Sequence, residues 1–205
     1  MIRDSLREAL ARIADTPALW ITGLYLGALF ALDLILPIGG NTVFPARIGF
    51  LGLVALPFFL GGTIGAIQAG PGTTVQGYAA AGARYYFRIL IAGTVIVAAA
   101  LLTVGLLVIP FTLMGGDPMA YLPAAIIGVG VPFVFFTFFF DTAVVFEDRK
   151  VLDSIRRSVE FVMGSPGKAL SFYLVNLAIG LLALFFAVFI WSFIIADRVQ
   201  PLVGA

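Results

Sequence analysis

The sequence predicts an all-α, polytopic integral membrane protein with about five transmembrane helices and two cytoplasmic amphipathic surface helices. Of 205 residues, 61% are hydrophobic and 11% charged, too thin a charged shell to cover a soluble domain of that size. Several uninterrupted apolar stretches reach about 20 residues, the length at which a helix crosses a bilayer core of about 30 Å. Short segments alternating apolar and polar residues, the mark of a membrane barrel, are absent from the sequence.

Residues 2–15 read as the first surface helix. Ile2, Leu6, Leu10 and Ile13 recur at helical spacing with charges between them, which suits a helix lying in the headgroup layer. Both signs of charge are mixed there (Arg3, Asp4, Arg7, Glu8, Arg12, Asp15), so no cleavable signal is expected and the first span serves as its own insertion signal. Thr16-Pro17 supplies an N-cap and a proline at the first helical position. The first span covers about 19–36 and stops before Pro37-Ile38-Gly39-Gly40.

A short link with Asn41, Thr42 and Arg47 leads to the second span, about 48–68. Pro57 and Gly61-Gly62 predict a kink or a close helix contact there. Residues 69–86 read as a loop, Gly-rich at first, then a small-residue helical stretch ending Arg84-Tyr85-Tyr86. The third span is about 87–111, with Pro110 near its end, and Gly115-Gly116-Asp117-Pro118 makes a turn. The fourth span, about 123–146, is crowded with phenylalanine from Phe133 to Phe140.

Glu147-Asp148-Arg149-Lys150 then opens the second surface helix, 148–163. Leu152, Ile155, Val159 and Val162 form its apolar stripe, and Arg149/Asp153, Asp153/Arg157 and Arg156/Glu160 are opposite charges one turn apart. Gly164 stops this helix, Ser165-Pro166 caps the next, and the fifth span is about 169–195, followed by a short tail.

Charge placement orients the chain. Arg3, Arg7, Arg12, Arg84, Arg88, Arg149, Lys150, Arg156, Arg157 and Lys168 fall on one side of a five-span layout, and Arg47 and Arg198 on the other. The positive-inside rule puts the first group and the amino terminus in the cytoplasm of a cell-membrane protein, and the carboxyl terminus outside. An internal echo joins the surface helices: Asp4-Ser5-Leu6-Arg7 matches Asp153-Ser154-Ile155-Arg156, and Thr16-Pro17 matches Ser165-Pro166, at one constant offset. Duplication of a unit of surface helix plus two spans accounts for this, with 74–146 as a weak middle copy. Convergence on the needs of any interfacial helix feeding a span is the alternative, which the match of both ends at one offset disfavours. Under duplication, the last copy lacks its second span, to be lost or supplied by a partner.

The chain has no cysteine and no histidine. Disulfides, Cys/His zinc sites, haem–histidine ligation, thiol nucleophiles and histidine bases are therefore excluded. No phosphate loop, nucleophile elbow or paired-carboxylate motif appears, so neither enzyme chemistry nor a cofactor nor a metal is expected. No basic patch interleaved with exposed aromatics suggests nucleic acid.

Asp33 and Asp141 are the ionisable groups well inside the expected spans, and intramembrane acids point to cation or proton handling. A structural ion pair is the plain alternative, with Arg47 near the first acid and Arg84, Arg88 or Arg149 near the second. Gln68 and Asn176 suit helix–helix hydrogen bonds, and Gly23/Gly27 and Gly61/Gly65 suit close helix packing within the chain or in a dimer. Trp20, Tyr25, Tyr121 and Trp191 suit interfacial anchoring. Arg149, Lys150, Arg156 and Arg157 place a charged face toward lipid headgroups or a partner.

The run Phe140-Asp141-Thr142-Ala143-Val144-Val145-Phe146-Glu147-Asp148-Arg149, followed by Asp153-Ser154-Ile155-Arg156-Arg157-Ser158, resembles a broad group of uncharacterised prokaryotic, especially archaeal, membrane proteins. That group is similar to the membrane-domain family attached to some glycerophosphodiester phosphodiesterases. The resemblance is clearest over residues 135–175 and implies a six-spanning membrane module with no assigned activity. This chain departs from it by ending after five spans and by lacking the soluble phosphodiesterase domain, so no catalytic residue carries over. The expected function is a scaffold, assembly or lipid-organising subunit working with membrane lipids, a partner membrane subunit or a second copy. The alternative is a small-solute or ion transporter subunit using Asp33 or Asp141.

Overall fold

The computed structural model describes Ala11, residues 14–35 and residues 43–190, and the side chains within them except those at 30–51, 184, 187 and 190. The described residues are all-helical: a 3₁₀ turn at Pro17–Leu19, then α1 (Trp20–Ile35), α2 (Val43–Ala69), α3 (Val75–Leu113), α4 (Pro118–Thr137), α5 (Phe140–Phe146), α6 (Val151–Gly164) and α7 (Pro166–Ile190). Four stretches among them are long and apolar enough to cross a membrane, within α2, along α3, from α4 through α5, and in α7. Helix α1 is a shorter apolar helix of 16 residues. Residues 2–10, 12 and 13 of the expected surface helix, the Asp4–Arg7 part of the internal echo and the side chains of Asp33 and Arg47 lie outside the described residues.

The punctuation reads as local chemistry requires. Asp117 accepts a 2.9 Å bond from the backbone N–H of Met119, with Pro118 at the first position of α4. Gly115 precedes it at φ +82°, a left-handed conformation open to glycine. Pro17 opens the 3₁₀ turn, but the Thr16 hydroxyl makes no capping bond; the residue is buried instead. At Ser165 the backbone carbonyl accepts from Lys168 and Ala169 N–H, both at 3.1 Å, and starts α7.

Two features depart from the expected layout. The small-residue stretch 75–86 is helical as expected, but it runs without a break into the third span, making α3 one helix of 39 residues. Thr74 caps it by accepting from Gly77 N–H at 3.1 Å, and alanine and glycine then carry the helix without an apolar stripe to announce it. The expected fourth span is two helices, because the ladder breaks at Phe138–Phe139 between α4 and α5.

Helices α2 and α3 form the tightest pair. A Cβ on Gly61 would meet Tyr85 Cβ at 3.4 Å, one on Gly62 would meet the Tyr78 ring at 2.6 Å, and one on Gly82 would meet the Phe58 carbonyl at 2.7 Å. The close approach expected at Gly61/Gly65 is therefore internal, whereas a Cβ on Gly23 or Gly27 would meet nothing within 4 Å. Helix α2 stays continuous through Pro57, which leaves the Leu53 carbonyl without its ladder donor. Neighbouring carbonyls take tyrosine hydroxyls from both sides: Tyr86 donates to Val54 at 3.1 Å, Tyr78 to Phe59 at 3.0 Å, and Tyr25 of α1 to Gly52. Thr22 and Thr63, both half-buried, join the buried Tyr78 in one hydroxyl cluster.

Helix α7 docks by its first turns. Ala169 is buried, Phe172 packs on Phe138 and Phe139, and the Tyr173 hydroxyl donates to the Val134 carbonyl at 2.5 Å. Beyond that point Leu174, Leu177, Leu181 and Phe185 are all exposed. Asn176, expected to bond a neighbouring helix, donates to Phe172 of its own at 2.8 Å.

Candidate functional site at the charged end of the bundle

Helix α5 ends at Phe146, and the chain turns at Glu147-Asp148 before α6 begins. Asp148 has φ +49°, the left-handed region that aspartate tolerates better than most residues. The elbow faces α3, where Arg84 and Arg88 lie one helical turn apart. Arg88 Nη1 reaches Asp148 Oδ1 at 2.6 Å and Arg84 Nη2 reaches Oδ2 at 3.4 Å. Arg84 also lies over the Tyr85 ring, 5.1 Å from its centre.

Glu147 serves the other side of the elbow. Its carboxylate accepts from Arg157 Nε at 3.0 Å and from Arg149 Nε at 3.1 Å. The Arg157 hydrogen bond, helped by Arg149, holds the Glu147 carboxyl below the usual glutamate range, and Glu147 in turn raises the Arg157 guanidinium. Arg157 Nη1 also stands 3.9 Å from Glu160, which is bound by Arg156 at 2.9 Å. Five arginines and three carboxylates thus form two adjacent sets at the elbow, Arg84 and Arg88 on Asp148, and Arg149, Arg157 and Arg156 on Glu147 and Glu160.

This arrangement corrects two expectations. Of the pairs expected along α6, Arg156/Glu160 forms, but Arg149 and Arg157 turn to Glu147 rather than to Asp153. The arginines expected beside Asp141 bind the elbow residues, two turns of chain further on. Asp141 is half-buried in the first turn of α5 and accepts from the Thr142 backbone N–H at 2.7 Å and the Thr142 hydroxyl at 3.4 Å. Among the described residues no cation pairs with it. Lys150 stands exposed at the N-cap of α6, without a side-chain capping bond.

The face by which α6 docks also differs from the stripe expected. Leu152 is 71% exposed, and of the expected apolar residues only Val162 is buried, together with Ser154 and Ser158. Those three lie at successive steps of four, so small side chains let α6 approach the bundle closely. Ser158 joins the broken span: its hydroxyl accepts from Phe139 N–H at 3.0 Å and donates to the Phe136 carbonyl at 2.9 Å. Both groups lost their ladder partners at the break, and one buried side chain satisfies them. Ser154 closes on its own helix, donating to Val151 at 2.7 Å. Two serines one turn apart, outside the expected apolar stripe, were the available signal for this contact.

Three flanks of α6 result: Ser154, Ser158 and Val162 against the bundle, Asp153, Arg157 and Glu160 outward, and Leu152, Val159 and Met163 on the remaining side, Leu152 and Met163 exposed. Chemically the end of the bundle offers guanidinium donors to an anion. Among the described residues no three His, Cys, Asp or Glu side chains gather as a metal site.

Over residues 1–204 the chain matches the family described as Domain of unknown function (DUF7847). No curated protein and no solved structure matches it.

Proposed function

The chain belongs to the family Domain of unknown function (DUF7847), and from that premise we propose that it is a non-enzymatic integral membrane module, a scaffold, assembly or lipid-organising subunit of the cell membrane. Its charged end faces the cytoplasm, with α6 lying in the plane of that leaflet and the carboxyl terminus outside. The observation that carries this reading is the docking of α6. The helix is clasped across the break at Phe138–Phe139 by Ser158, which fixes its depth, while its arginines stay in the open and Leu152 and Met163 are exposed beside them. A helix with one charged and one apolar exposed flank suits the boundary between headgroups and acyl chains. The exposed length of α7 supports an assembly role, with a membrane subunit, a second copy or lipid against it.

Native mass spectrometry of the protein, extracted gently from its own membrane, tests the reading. A second polypeptide at fixed stoichiometry makes it an assembly subunit, and co-purifying lipid alone makes it a lipid-organising one. Turnover of a lipid substrate by the purified chain would overturn the non-enzymatic assignment.

A second reading, a small-solute or ion transporter subunit, is favoured by Asp141. This acid lies two residues past the break in a helix, with no cation beside it among the described residues. Broken helices with an intramembrane acid are a recurrent way to hold a coupling ion. Asp141→Asn separates the readings: a transport role predicts lost flux in liposomes with unchanged melting, and a structural role predicts lowered melting.

A further inference from the structure

We propose that the four arginines around the Glu147-Asp148 elbow form a docking site for the phosphate of an anionic phospholipid headgroup. The site rests on the membrane reading above and names the ligand of the charged end.

Charge comes first. Arg84, Arg88, Arg149 and Arg157 meet two carboxylates, Glu147 and Asp148, and four positive charges against two negative leave a surplus of two. Adding Arg156 and Glu160 leaves that surplus unchanged. The arginines also keep donors in reserve. Arg149 and Arg157 each give Nε to Glu147, and their terminal nitrogens remain, Arg157 Nη1 at 3.9 Å from Glu160. Side-chain exposures of 63% for Arg84, 39% for Arg88, 51% for Arg149 and 45% for Arg157 keep these donors within reach of a ligand. A guanidinium fork matches two phosphate oxygens at once, which a point charge does not.

Depth then selects a lipid over a free anion. On α3 the exposed large apolar side chains begin at Phe87 and continue to Leu113, and before Phe87 only Val75 is of that kind. Arg84 and Arg88 bracket Phe87, so they stand where a belt of large apolar side chains gives way to small ones. On the facing element Phe146, 45% exposed, immediately precedes Glu147 and marks the same boundary. A phosphate at this level has acyl chains below it.

Asp148 occupies the place a phosphate would take. Its ion pairs with Arg84 and Arg88 are half-exposed and individually weak, so a bidentate anion can displace it. Asparagine tolerates the left-handed backbone as aspartate does, which makes Asp148→Asn a clean way to free both arginines.

The test is native mass spectrometry of the full chain in detergent, titrated with phosphatidylglycerol or phosphatidylcholine, and competed with inorganic phosphate or glycerol phosphate. Wild type is expected to prefer phosphatidylglycerol, R84Q/R88Q to weaken that binding roughly tenfold, and K150Q/K168Q, which removes the same charge elsewhere, to stay within about twofold. D148N is expected to strengthen it by about threefold or more, which keeps the proposal testable even where R84Q/R88Q fails to fold. Equal losses in the two double variants, or no gain in D148N, would overturn the site in favour of diffuse charge. Full displacement by inorganic phosphate would overturn the headgroup as its ligand. Carbonate extraction separates the premises: a chain washed from vesicles refutes the membrane reading, and one that stays in the bilayer without preferring phosphatidylglycerol refutes only the site.

Discussion

Replacing Ser158 by alanine removes a hydroxyl that holds two backbone groups across a helix break. The Phe139 N–H loses its acceptor at 3.0 Å and the Phe136 carbonyl its donor at 2.9 Å. Ser158 is 1% exposed, so water does not reach the vacated position freely. Leaving one buried polar group unsatisfied costs about 1–3 kcal/mol. Relaxation at the break recovers part of the second, giving an expected loss of roughly 2–3 kcal/mol. At about 2–4 °C per kcal/mol for a chain of this size, melting falls by roughly 4–12 °C. The assay is thermal unfolding in one detergent for wild type, Ser158→Ala and Ser171→Ala. The last is the control, since the exposed Ser171 hydroxyl donates to Gly167 of its own helix at 2.9 Å and its loss should stay within about 0.5 kcal/mol. Equal melting of Ser158→Ala and Ser171→Ala would refute the view that α6 secures the broken span.

Three further outcomes are expected. Gly82→Ala drives a methyl to 2.7 Å from the Phe58 carbonyl and should cost about 1–3 kcal/mol in unfolding, while Gly23→Ala, with nothing within 4 Å, should be neutral in the monomer. Tyr78→Phe removes the donor to Phe59 and the contact to Thr22, and should cost about 1–2 kcal/mol, limited because Thr22 also donates to Phe59 at 3.4 Å. Glu147 is held below its ordinary value of 4.5, first by the Arg157 hydrogen bond, so its contribution is full above that pH and is lost as pH falls through the lower folded value. Protection of the elbow amides, measured as exchange relative to the intrinsic rate at each pH, should therefore fall on acidification below the ordinary value of 4.5, and Glu147→Gln should flatten the response.

Residue chemistry that acts locally was legible in the sequence. The turn Gly115-Gly116-Asp117-Pro118, the helix start at Ser165-Pro166 and the close contact at Gly61/Gly65 depend on backbone rules or short spacing. Continuity of α3 through 75–86 was not legible, because alanine and glycine carry a helix without apolar periodicity. Nor was the break at Phe138–Phe139, where no glycine or proline stands and Pro132 lies six residues earlier. At the site, the arginines were visible as charge, but their partner was misplaced by two helical turns. Seven residues along the chain separate Asp141 from Asp148, and only the elbow brings the second acid around to α3. The docking of Ser158 was not legible, because a serine beside Arg157 carries no apolar signal and its partner is formed only by the break.

The length of α3 has a mechanical consequence. Its 39 residues measure about 58 Å at 1.5 Å per residue, almost twice a bilayer core. The turns before Phe87 are braced by Gly61, Gly62 and Gly82 against α2, so the first turns of α3 and the facing turns of α2 move as one body. A rod of that length carries any tilt at its far end to the elbow, which it holds through Arg84 and Arg88.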